Sequence, residues 1–129
     1  MNDASPLSTY YPESKPWFDI SSYLLPGLRP RFTGSAAAQV DGNTIHYAVR
    51  LVVGSEYVSR IANGGWLLFE NLPKEFRVGS STIAYADYLG TPSQVVADTA
   101  GRIVVPTRTG QDPSGTTQIG FVMTGWRAA

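Results

Sequence analysis

In the run Ile83-Ala84-Tyr85-Ala86-Asp87-Tyr88 an aromatic ring and a carboxylate stand two residues apart. On a β-strand that spacing puts Tyr85 and Asp87 on one face, with Ala84, Ala86 and Tyr88 on the other. A ring that covers the apolar C–H face of a sugar, beside an acid that accepts hydroxyl hydrogen bonds, makes a saccharide-recognition pair. Tyr85, Asp87 and the adjoining Tyr88 are the expected ligand-binding residues, set against the plainer use of tyrosine in ordinary strand packing.

Catalytic chemistry is harder to assemble. A Ser-His-acid group would have to recruit His46, the sole histidine, which stands between Ile45 and Tyr47 and reads more simply as a surface or interface residue. Paired carboxylates for glycoside hydrolysis could come from Asp87 with Asp98, or Glu70 with Glu75, but all four lie beside turn signals. One histidine and no cysteine leave no ligand set for zinc or iron. Asp41, Asn43 and Asp112 offer oxygens for calcium without a ligand-rich loop behind them. The expectation is a chain without enzymatic activity, cofactor or metal, with a small hydrolase using Asp87 and Asp98 as the alternative.

The composition agrees. At 129 residues, 43% hydrophobic and 16% charged, the chain has the size of one folded domain and fewer charges than the roughly 25% of an average one. So few charges suit a protein that hides surface between subunits. Ten basic and ten acidic residues cancel, and no Lys/Arg block forms the phosphate-tracking stripe of a nucleic-acid binder. No run approaches the ~20 apolar residues of a membrane helix, and the N-terminal residues do not read as a signal peptide.

The elements that must position these groups are strands. Residues 1–32 carry Pro6, Pro12, Pro16, Pro26 and Pro30, which forbid a long helix and predict an extended arm. Its large apolar groups, among them Trp17, Phe18, Ile20, Tyr23, Leu24 and Leu25, predict that it docks on its own domain or a neighbour, with a short helix near Ser21–Leu25. From Thr33 onward, alternating runs are separated by Gly, Asn, Asp and Pro. "SAAAQV" and "TIHYAVRLVV" flank an Asp-Gly turn, "SQVVAD" and "RIVVP" flank a turn at Gly101, and "TTQIGFVMTGW" closes the chain. The pattern predicts an all-β fold: an antiparallel β-sandwich of the jelly-roll sort over residues 33–129, behind the Pro-rich arm of residues 1–32.

Within it, "GGWLLFENLPKEFR" at residues 64–77 breaks an apolar run at Pro73, which lacks the N–H a ladder needs. Lys74 and Glu75 are expected to face solvent, Phe76 to return to the core and Arg77 to anchor the exit. The order of this stretch among "RPRFTGSAAAQV", "SQVVADTAGRIVVP" and "IGFVMTGWRAA" resembles the C-terminal head domains of bacteriophage tail fibres and receptor-binding minor tail proteins. The matching positions are Arg31 and Gly34, then Leu72, Pro73, Phe76 and Arg77, then Gly101, and last Trp126. The chain has Glu75 and Val78 where that family usually has Gly and Pro. The resemblance implies a trimeric, non-enzymatic β-sandwich of the virion tail that meets other virion proteins and recognises a host cell-surface glycan, or else an architectural virion protein docked through its arm. It carries over no binding residue.

Overall fold

The computed structural model describes residues 16–54, 66–88, 91–105 and 116–128. Alternation at period two builds most of it. In β3 (Thr44–Gly54), Ile45, Tyr47, Val49, Leu51 and Val53 are buried while the intervening side chains face outward. In β8 (Thr116–Trp126), Ile119, Phe121 and Met123 do the same. Around these two lie β1 (Trp17–Asp19), β2 (Thr33–Asp41), β4 (Trp66–Phe69), β5 (Thr82–Tyr88), β6 (Thr91–Ala97) and β7 (Ile103–Val105). All pair antiparallel in the order β1-β2-β3-β8-β5-β6-β7-β4.

The all-β, antiparallel architecture expected from the alternation is therefore present, drawn by one continuous eight-stranded sheet among the described residues. The sheet curls. β3 and β8 pair along their full length, from Thr44 opposite Trp126 to Gly54 opposite Thr116, whereas β8 ladders with β5 at Gly120–Asp87 and Ile119–Tyr88 and is held at its other end by a bridge from Arg127 to Val78, just ahead of β5. The four strands on either side of this junction enclose one apolar core, to which both sets contribute. At the far side, a bridge between Leu24 and Phe69 and the bond from Leu25 N–H to the Leu68 carbonyl (3.1 Å) bring the β1 and β4 edges together.

The proline-rich N-terminus divides. Residues 1–15 of the expected arm lie outside the described residues. From Trp17 on, the segment belongs to the sheet: β1 pairs with β2, and Ile20, Leu24, Leu25 and Leu28 are buried in this chain's own core. The core thus starts well before Thr33. Between β1 and β2, the expected short helix is a single 3₁₀ turn over Ser21–Tyr23, too short to hold helical hydrogen bonds beyond Leu24.

Leu67 pairs with Val104 and Phe69 with Ile103, so Leu68 is the extra residue of a β-bulge. A bulge interrupts alternation, which lets Leu68 and Phe69, neighbours in sequence, both be buried. Trp66 pairs with Val105, its side chain lying outside the described residues. After Pro73 a 3₁₀ turn over Lys74–Phe76 leaves Lys74 and Glu75 exposed and buries Phe76. Arg77 donates from Nε to the Leu72 carbonyl (2.5 Å) and from Nη2 to Asn71 Oδ1 (2.7 Å), closing the loop on itself.

Tyr47 ties this loop to the core. Its buried hydroxyl donates to the Phe76 carbonyl (2.5 Å), and burial pushes the phenol well above its ordinary range. Tyr47→Phe leaves that carbonyl unpaired and is expected to cost about 1–3 kcal/mol at neutral pH. A pKa raised in the folded state means that, above the unfolded value of about 10, the unfolded chain loses this proton first and stability falls as pH rises. Urea unfolding at neutral pH and above about pH 10 should show that fall in the parent and a shallower one in Tyr47→Phe.

Candidate functional site

Residues directly opposite one another in a sheet share a face, so the register defines what stands beside Tyr85 and Asp87. Ser35 is opposite Arg50, Arg50 opposite Gly120, Gly120 opposite Asp87 and Asp87 opposite Pro92, one row across five strands. The next row outward runs Ala37, Ala48 and Val122, with Tyr85 opposite Gln94 two residues along β5. Ala84 and Ala86 turn toward the core while Tyr85, 72% exposed, and Asp87 turn outward.

This outer face carries most of the exposed large apolar side chains among the described residues. Of the seven exposed large hydrophobic residues described, five share it: Trp17, Ile83, Tyr85, Val122 and Trp126. Along it runs a shallow groove of about 430 Å³ lined by Ser35, Ala48, Arg50, Asp87, Gly120 and Val122. A second hollow, of about 350 Å³, adjoins it between Tyr85, Ala86, Asp87 and Pro92. Gly120 opens the groove: the position its Cβ would occupy is 3.9 Å from Arg50 Cγ and 3.8 Å from the Val49 carbonyl oxygen. A larger side chain would fill the space between Arg50 and Asp87.

The other expected groups are dispersed. Tyr88 holds backbone register with Thr91 and Ile119, on the pleat alternate to Tyr85 and Asp87, and its side chain lies outside the described residues. Asp98 serves the β6–β7 turn: its Oδ1 accepts from Ala100 and Arg102 N–H (both 3.0 Å), and Oδ2 lies 3.3 Å from Arg102 Nε. Asp87 is level with Pro92 at the start of β6, and Asp98 follows its last residue, Ala97. At ~3.3 Å per residue that is about 20 Å, beyond the ~5–9.5 Å of a glycosidase pair. The two acids are thus not a catalytic couple.

Glu70 and Glu75 are both exposed, one after β4 and one in the 3₁₀ turn. Asp41 and Asn43 flank the β2–β3 turn, and Asp112 lies outside the described residues. No cluster of three metal-ligating side chains occurs among the described residues. His46 is half-buried on the outer face with Nδ1 2.8 Å from the Thr124 hydroxyl, and no helix among the described residues is long and apolar enough to cross a membrane.

At the C-terminal end, Trp126 separates two roles. Its backbone is fixed, with the carbonyl accepting from Gly79 N–H (2.7 Å) and the next N–H, of Arg127, donating to Asn43 (2.8 Å). Its ring stays 65% exposed. Arg50 stands on the outer face of β3, opposite Gly120 and exposed. Its signal in the sequence is a lone cation inside an apolar strand, between Val49 and Leu51.

Fold and face together define a small antiparallel β-domain with an aromatic-bearing, solvent-open sheet surface. The chain matches no protein-family model, no curated protein and no solved structure.

Proposed function

We propose that this protein is a non-enzymatic structural component of a bacteriophage tail, which recognises a host-surface saccharide as a homotrimer and packs against other virion proteins. The ordered series from Arg31 and Gly34 through Leu72, Pro73, Phe76 and Arg77 to Gly101 and Trp126 supports the tail assignment by resemblance. The observation that carries the binding reading is the exposure of Tyr85 and Asp87 side by side at the mouth of the groove. The ring covers one apolar sugar face while the carboxylate accepts hydroxyl hydrogen bonds. Three weak sites on one rigid head raise avidity through effective concentration, without any tight single contact.

A glycan array probed with the intact chain tests this. Binding should fall at least tenfold in Tyr85→Ala and in Asp87→Ala, about 1.4 kcal/mol or more. Unchanged binding in both variants would remove the site. A second reading, that the chain is purely architectural, is favoured by the five large apolar residues on one face, since patches of this kind mark protein contacts. Under it the array is silent and light scattering shows an assembly that Val122→Asp disrupts.

A further inference from the structure

We infer that the groove selects an acidic sugar, one whose ring carries a carboxylate, with Arg50 as the group that reads the charge. This rests on the saccharide reading above and names its ligand class.

Arg50 lies in the same cross-strand row as Asp87, separated from it by Gly120 alone. Two strand spacings of ~4.8 Å put the two backbones about 10 Å apart, a width one sugar ring with its substituents bridges once both side chains lean inward. The groove's volume of about 430 Å³ falls in the 300–1,000 Å³ range of small-molecule sites.

Charge decides the ligand class. Arg50 is exposed and takes part in no ion pair or side-chain hydrogen bond among the described residues. Its stem lies over Gly120, beside Ala48 and Val122. A neutral sugar settling on that floor would strip water from the guanidinium and return only hydroxyl contacts, which costs binding energy. A carboxylate returns two parallel charge-assisted hydrogen bonds in the geometry the guanidinium fork presents. Asp87, across the notch, repels a second acid and accepts from hydroxyls, so the ligand has one orientation: carboxylate toward β3, hydroxyls toward β5.

The test compares an oligogalacturonide with its carboxyl-reduced, neutral counterpart by calorimetry on the intact chain. The acidic form should bind at least tenfold more tightly at low salt, and the preference should shrink as ionic strength rises. Arg50→Gln should abolish the preference while changing affinity for the neutral form less than about twofold, since less than 0.5 kcal/mol of charge-independent contact is lost. Arg50→Lys should keep part of the preference without the bidentate geometry, and Gly120→Val should weaken both ligands by filling the notch. Equal affinity for the two forms, with both lost in Tyr85→Ala, overturns the acidic selection and leaves the saccharide site standing. Binding of neither form, together with a silent neutral array, removes the saccharide reading itself. A change of assembly mass in Arg50→Gln makes the groove a contact between copies and also overturns the inference.

Discussion

Replacing Gly101 with alanine is expected to lower the thermal midpoint by about 10 °C or more. Gly101 has φ +88°, where an L side chain is strained, and its added Cβ would stand 2.7 Å from Arg77 Nε and 2.8 Å from both N and O of Leu72. Two of these three are backbone atoms. They cannot step aside, because Leu72 N–H donates to the Gly101 carbonyl (2.9 Å) and the Leu72 carbonyl receives Arg77 Nε. The left-handed conformation costs roughly 1–2 kcal/mol, and each lost hydrogen bond adds about 1 kcal/mol. The total of about 3–4 kcal/mol is large against the 5–15 kcal/mol of a typical domain. Thr99→Ala, an exposed change in the same turn, should stay within about 0.5 kcal/mol. A scanning-calorimetry midpoint for Gly101→Ala as close to the parent's as that control would refute the account.

Gly34→Ala is expected to be costlier still. Here φ is +117°, and the new Cβ would overlap the Arg50 carbonyl oxygen while lying 3.0 Å from its carbon and 3.4 Å from Leu51 Cα. Gly34 is opposite Leu51 in the β2–β3 ladder, and β3 is held on its other side by β8, with Arg50 opposite Gly120. A strand paired on both sides has nowhere to retreat. Strain and overpacking together cost about 4 kcal/mol or more. The expected result in urea unfolding is a midpoint shifted down by about 1.5 M or more, or recovery only in the insoluble fraction, while Thr33→Ala behaves like the parent. Where some Gly34→Ala folds, displacement of the Arg50 backbone should also weaken preference for the acidic ligand. A fully soluble variant with an unshifted midpoint would sink the argument.

The two glycines differ in how far the sequence shows their role. Gly101 turns the short hairpin by a local chemistry readable from a few residues, whereas Gly34 entered the sequence reading through the resemblance, and its need for glycine comes from the Arg50 carbonyl of the partner strand. The alternations in β3, β5 and β8 are readable in the same local way as Gly101, because the pleat repeats every two residues whatever the strand pairs with. Pro73 was readable as a stop because a missing N–H is a property of one residue. The burial of both Leu68 and Phe69 was not fully readable, since the bulge between them is defined by the partner strand β7.

The candidate site divides along the same line. The all-β character, the turn at Gly101 and the shared face of Tyr85 and Asp87 are legible in the sequence, since each depends on backbone geometry within a few residues. Only the tertiary structure shows that Asp98 braces a turn far from Asp87, that residues from Ile20 onward enter the core, and that Ser35, Arg50, Gly120 and Asp87 form one row. That row joins four strands scattered from β2 to β8 in the chain. Its register is set by hydrogen-bonded pairing and by which faces the core buries, and no local pattern around any one of the four residues contains that information.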